Sequence, residues 1–399
     1  MHKPLQSSIK IISIAIGLLA CQTLFAEFHL PESVQIHGFL SQGYIRTTNN
    51  NFFGESQGGG TFDFRELGVN GSWRPLNDLQ FSLQAVARNA GDTDDGDLRV
   101  DYGLIDYTLL SDADNLLGIR LGRVVNPFGL YNDTRDVAFT RPGILLPQSI
   151  YFDVNRQFAL SGDGAHVYAE RRTGFGDFLF QAGVFEPRTN DPDLKQAITF
   201  GFFSGDLEGR TSWVGRLMYE LNGGQIRLAL TAADLNADFK PGPVRPNLES
   251  GEFNFAPLVF SAQYNAENWS LTGEYARRPA QVNDFGPFLP DGRFTGESYY
   301  LQGTYRLRPN LEAMLRYDVL IWNRHDYDGR EFEAATGIPS HRRYAKDWTI
   351  GLRWDVTPSI MLRAEFHHVY GTGWLSALEN RDGFEKEWNL LSIMASYRF

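Results

Sequence analysis

From residue 34 to the C-terminus the chain repeats one unit: an alternating apolar and polar segment of about ten residues, a short turn, a second alternating segment, and a longer polar loop. In 348–355, Trp348, Ile350, Leu352 and Trp354 alternate with Thr349, Gly351, Arg353 and Asp355. In 311–321, Leu311, Ala313, Leu315, Tyr317, Val319 and Ile321 share one parity, and Glu312, Met314, Arg316 and Asp318 share the other. A period of two is the signature of a strand with unlike faces. The first half predicts strands at 34–47, 61–73, 79–89, 101–111, 115–123, 162–171, 176–186 and 210–220. The second half adds 225–235, 256–264, 269–277, 297–306, 311–322, 347–356, 360–370 and 387–399. Between them, turns at 74–78, 111–114, 172–176, 222–224, 265–268, 307–310 and 357–359 hold the Gly, Asn, Asp and Pro that tight reversals need.

A soluble β-sandwich also alternates, but here the apolar parity is rich in Tyr and Trp near strand ends, the pattern of an interfacial girdle. Past the N-terminus no apolar run reaches the ~20 residues of a spanning helix. The expected fold is therefore all-β, a transmembrane antiparallel barrel of about 16 strands, an even number with both ends on one rim. Leu391, Ile393, Ala395, Tyr397 and Phe399 close the chain on one parity, and a terminal aromatic so placed resembles the assembly signal of outer-membrane barrels.

Residues 1–26 carry Lys3 and Lys10, an apolar run from 11 to 20, and small or polar residues up to Ala26. This is the pattern of a secretory signal peptide cleaved after Ala26, leaving 27–399 as a single barrel domain. A second reading takes Cys21 as a lipidated residue after an earlier cleavage. The formal charge of −11 becomes −13 without Lys3 and Lys10, which argues against nucleic acid as a partner. Such an excess fits exposed loops beside divalent cations and lipopolysaccharide. No cofactor motif and no Cys/His constellation of the zinc type is found.

The longest loop, 124–161, joins the fifth and sixth predicted strands. Gly122-Arg123 followed by Asn126-Pro127-Phe128-Gly129 resembles the Gly-Arg and Pro-Phe-Gly run of Gram-negative porins related to the phosphate-selective O/P type. The resemblance implies an outer-membrane porin, a homotrimer, whose third long loop folds inward and narrows the pore. That family relies on clustered lysines, whereas the mature chain has only Lys195, Lys240, Lys346 and Lys386, all in predicted loops. Phosphate selectivity is therefore not carried over.

Inward parity collects Arg88, Arg120, Arg216, Arg227, Arg306, Arg316, Arg353 and Arg363 as lumen-lining candidates. Guanidinium groups keep their charge and can pass oxyanions along a wet wall. Acids of the same parity, among them Glu66, Asp106, Glu274, Asp318 and Glu365, nearly balance them, so a salt-bridged wall is an equally physical reading. Asp133, Arg135, Asp136, Arg141, Asp153 and Arg156 in the long loop are the candidate pore constriction. They either set a field across the narrowest passage or fasten the loop to the wall. The acidic run Asp92, Asp94, Asp95 and Asp97 reads as a solvated turn rather than a calcium loop, and His367 and His368 fall on opposite faces. The expected function is passive diffusion of small hydrophilic solutes, with a modest anion preference and no enzymatic step. A plugged barrel acting as adhesin or structural protein, and an outer-membrane hydrolase, are the alternatives.

Overall fold

The computed structural model describes residues 31–153, 156–189, 194–195, 204–244 and 248–399. The expected signal peptide, 1–26, and the alternative lipidation at Cys21 lie outside them. The chain forms β1 (Val34–Thr47), β2 (Arg65–Leu76), β3 (Leu79–Asn89), β4 (Asp95–Ser111), β5 (Asn115–Val125), β6 (Ser161–Thr173), β7 (Gly176–Pro187) and β8 (Gly205–Leu221). There follow β9 (Ile226–Pro241), β10 (Gly251–Phe255), β11 (Leu258–Asn265), β12 (Trp269–Asn283), β13 (Gly292–Arg308), β14 (Leu311–Ile321), β15 (Tyr344–Thr357), β16 (Ile360–Gly371) and β17 (Glu387–Arg398).

Segments β10 and β11 are halves of one strand, since both lie between β9 and β12. Pro257 breaks the strand because it has no N–H for the ladder, while its carbonyl still accepts Ala233 N at 3.0 Å. The result is a closed antiparallel barrel of sixteen strands. Closure is made by β1 against β17, from Phe39 opposite Arg398 to Thr47 opposite Leu390. Among the described residues no strand is left without a neighbour on either side, as an apolar surrounding requires.

Sequence alternation becomes an inside and an outside. Trp348, Ile350, Leu352 and Trp354 are exposed on the outer wall, and Arg316, Asp318, Thr349, Arg363 and Glu365 are buried within. Near the short-turn rim, Trp73, Tyr107, Tyr264, Trp269, Tyr305 and Trp354 are exposed, and near the long-loop rim Trp213, Tyr275, Tyr299, Trp348 and Tyr370. These are the two aromatic rings that bracket an apolar band.

The strands run further toward the long-loop rim than the sequence predicts. β4 starts at Asp95 rather than 101, β8 at Gly205 rather than 210, β12 ends at Asn283 rather than 277, and β13 starts at Gly292 rather than 297. Above the apolar band both faces meet polar surroundings, so backbone pairing continues where alternation has stopped. For the same reason Lys240 and Lys346, expected in loops, lie in β9 and β15.

Candidate functional site

The segment 126–160, between β5 and β6, turns into the barrel. Near one wall, the Gly129 carbonyl accepts Arg216 Nη1 at 2.7 Å and the Asp133 carboxylate accepts Arg216 Nη2 at 2.6 Å. On β12, Glu274 accepts hydroxyls from Tyr151 (2.5 Å), Tyr300 (2.9 Å) and Ser261 (2.5 Å), and the Leu130 N–H at 3.1 Å. Across the lumen, Arg316 donates to the Leu145 carbonyl at 3.0 Å and Arg363 to the Gly143 carbonyl at 2.7 Å and to that of Arg141. Glu365 accepts the N–H groups of Ile144 at 2.5 Å and Leu145 at 3.2 Å, and Asp318 accepts that of Ser149 at 3.2 Å. The loop therefore spans the lumen from β8 and β12 to β14 and β16.

Two glycines permit this approach. A Cβ on Gly143 would stand 2.3 Å from Glu365 Oε1, and one on Gly129, whose φ is +59°, would stand 2.3 Å from the Tyr151 hydroxyl. Only a bare backbone fits at such distances.

All six loop residues singled out as a constriction carry ion pairs. Arg141 makes two hydrogen bonds to Glu66 of β2, at 3.1 and 2.6 Å. Asp153 faces Arg88 of β3 at 3.1 Å, Arg135 at 3.3 Å and Arg156 at 3.6 Å, and Arg156 also pairs with Asp136. Arg88 reaches Glu66 at 3.6 Å and Asp94 at 3.5 Å, and Arg99 meets Asp94 at 2.7 Å. Asp133 pairs with Arg216. Charges buried this far must be paired, and removing one partner leaves a costly isolated ion. Asp94 is thus a buried partner rather than a member of a solvated acidic turn. Among the described residues no cluster of three or more His, Cys, Asp or Glu is placed to hold a metal.

The predicted lumen arginines divide by burial. Arg88, Arg216, Arg316 and Arg363 are buried where the loop meets the wall. Arg120 pairs with Asp106 at 2.8 Å, Arg227 with Glu220 at 2.8 Å and Arg353 with Asp355 at 3.0 Å, Arg353 also donates to the loop's Phe139 carbonyl at 3.3 Å, and Arg306 is exposed and donates to the Glu267 carbonyl. Of the four arginines near short turns, Arg316, Arg353 and Arg363 reach carbonyls of the inward loop, at Leu145, Phe139 and Gly143, and Arg306 stays at the rim.

Three further groups stand out in the structure, centred on His367 and Glu365, on Arg278 and on Glu379; of these only His367 and Glu365 are named from the sequence. His367 lies buried between Asp347 at 2.8 Å and Glu365 at 3.3 Å, with Thr349 at 3.0 Å. His368 points outward, as alternation predicts. Arg278, one residue past the predicted end of its strand, stacks over the loop's Phe152 at 5.0 Å. At the long-loop rim, Glu379 accepts the N–H groups of Phe53 (2.9 Å), Gly54 (2.7 Å) and Asp92 (3.1 Å), clasping three loops. Burial pushes its carboxyl up to about 7, against the pull of those donors. Parity alone could have placed Asp347, Thr349 and His367 together; nothing in the sequence joins Glu379 to Gly54.

Apolar packing also enters the barrel. Phe139, Ile144 and Leu145 of the inward loop pack with Phe52, Phe53, Trp374 and Trp388, and Phe128, Leu146, Ile150 and Tyr151 pack on Val259 and Ala276.

A closed sixteen-stranded wall with a long loop folded across its lumen is the fold of outer-membrane porins and channels. The chain is similar to an anion-selective porin from Comamonas acidovorans, with a TM-score of 0.57 and 12% identity over 92% of this chain and 99% of that one. It is also similar to the outer membrane channel DcaP of Acinetobacter baumannii (TM-score 0.56, 13% identity, 92% and 97% covered). A third match is OmpT, an outer membrane protein of Vibrio cholerae (TM-score 0.56, 11% identity, 94% and 100% covered). No family model and no curated protein matches the chain.

Proposed function

We propose that this chain is a passive outer-membrane porin of a Gram-negative bacterium, conducting small hydrophilic solutes past the 126–160 loop with a modest anion preference. The observation that carries the reading is the seam between loop and wall. There the Nε–H groups of Arg88, Arg135, Arg141, Arg156, Arg316 and Arg363 are buried without a protein acceptor. These guanidinium groups keep their charge and set fixed positive charge at the seam beside the narrowed passage, which favours oxyanions. Similarity to porins and channels supports the same function, export through the periplasm, and assembly as a homotrimer. Purified protein in planar bilayers is expected to give stepwise currents and, in a salt gradient, an anion-selective reversal potential. Cation selectivity would overturn the preference.

A second reading, an occluded barrel serving adhesion or structure, is favoured by the apolar packing of Phe139, Ile144 and Leu145 against Trp374 and Trp388 inside the wall. Silence in the same bilayers would select it. The hydrolase alternative gains nothing from His367, whose hydroxyl neighbour is Thr349, beneath the loop.

A further inference from the structure

Of the four lysines after residue 26, two are matched by acids: Lys195 lies 3.0 Å from Asp206, and Lys240 pairs with Glu208. Lys346 and Lys386 have no carboxylate within ion-pair distance among the described residues, and both lie at one place on the outer wall. Lys346 is on the outward face of β15, between Tyr344 and Trp348, directly across from Tyr370 of β16. The Lys386 ammonium stands 4.5 Å from the centre of the Tyr370 ring, and its carbonyl accepts the Gly371 N–H at 2.7 Å.

The loop 322–343 hangs over this face. Its Tyr327 donates to Glu297, a residue of the outer wall that also accepts the Tyr275 hydroxyl at 3.0 Å, and outward-facing Val319 and Ile321 are buried beside Tyr344. Between overhang and wall is a cavity of about 250 Å³ lined by Tyr327, Arg330, Tyr344, Lys346, Tyr370 and Lys386. Asp328 also borders it, but its carboxylate is taken by Arg330 at 3.0 Å, so the two lysines leave the cavity cationic.

Its height matters as much as its charge. From Trp354 to Tyr344 the strand climbs ~33 Å at ~3.3 Å per residue, and a tilt of ~40° reduces this to ~25 Å, the height of the apolar band of such barrels. The cavity therefore opens at the upper margin of the band, immediately above exposed Trp348, Phe366 and Leu391. A soluble anion gains nothing from that wall, whereas an amphiphile fills both parts.

We propose that this cavity docks a phosphate headgroup of an outer-leaflet glycolipid, the phosphate held between the Lys346 and Lys386 ammonium groups and the tyrosine hydroxyls, and the acyl chains lying along Trp348 and Phe366. The inference rests on the outer-membrane reading but not on conduction.

Its test uses the full barrel in detergent, with bisphosphorylated lipid A, dephosphorylated lipid A and inorganic phosphate as probes. Native mass spectrometry reads the lipid retained, and heat-dependent gel mobility reports that each variant is folded. Wild type and the Lys346→Arg/Lys386→Arg variant are expected to hold bisphosphorylated lipid A. The Lys346→Gln/Lys386→Gln variant is expected to bind it roughly 10- to 30-fold more weakly. Dephosphorylated lipid A should bind all three weakly. Equal retention by the Gln variant overturns the proposal, as does displacement by inorganic phosphate, which would assign the site to a soluble anion. A silent barrel that still discriminates the lipids separates failure of the porin reading from failure of this one.

Discussion

Arg141 and Glu66 meet through two buried hydrogen bonds of 3.1 and 2.6 Å, one residue on the inward loop and the other on wall strand β2. Arg141→Ala leaves Glu66 with only the more distant Arg88, at 3.6 Å. Removing the closer of two partners from a buried carboxylate costs up to about 3 kcal/mol, enough to loosen the loop. The variant is expected to show larger and noisier single-channel current and lower resistance to denaturant. A current equal to wild type would mean that the loop does not set the narrowest passage.

Selectivity should follow the two arginines that hold the loop from the opposite wall. Arg316 and Arg363 face carbonyls of Leu145 and Gly143, with their Nε–H groups unmatched. Replacing both by Gln removes two positive charges while keeping amide donors, so the reversal potential in a salt gradient should move toward cation selectivity. An unchanged potential would place the permeating ion elsewhere.

The Glu379 clasp predicts a pH dependence at the long-loop rim. An exposed glutamate ionises near ~4.3. In the clasp, burial raises that to about 7. The neutral form is thus favoured in the closed state, so the contribution is complete below the open-state value and lost as pH rises through about 7. Amide hydrogen exchange in 48–64 and 372–386, corrected for intrinsic rates, should speed up between pH 5 and 8 in wild type. Glu379→Gln, which stays neutral, should flatten that rise; an equal rise in both would assign the opening to another group.

Barrel closure depends on a bare position opposite the terminal aromatic. The backbones of Gly38 and Phe399 exchange two hydrogen bonds, at 3.2 and 3.1 Å, and a Cβ on Gly38 would stand 2.3 Å from the Phe399 ring. Gly38→Val is therefore expected to push the Phe399 ring off β1 and to lower the heat-modified folded fraction on gels. Adding Phe399→Ala to Gly38→Val should recover part of that loss by removing the obstruction. No recovery would show that the ring is not what the new side chain meets.

Much of this architecture can be read from the residues alone. The segments 34–47 and 79–89 coincide with β1 and β3, and the third long loop falls where predicted, because lipid on one side and polar groups on the other impose a two-residue rhythm. The rhythm disappears where strands rise above the apolar band, which is why the first residues of β4, β8 and β13 were read as loop. Asn222, Gly223 and Gly224 take positive φ in a tight reversal, as their residue types predict.

The site was legible as a set of residue types on one parity, and its pairing was not. That Arg88, Arg316 and Glu365 face inward follows from alternation within their own strands. That Arg88 meets Asp153, Glu365 meets Ile144, and Glu379 reaches Gly54 depends on where three loops come to rest across a closed wall. Local sequence determines which way a side chain points, because a strand's geometry is set by adjacent residues. Only the closed barrel determines what that side chain touches, because those partners lie tens to hundreds of residues away and meet only when the first strand pairs with the last.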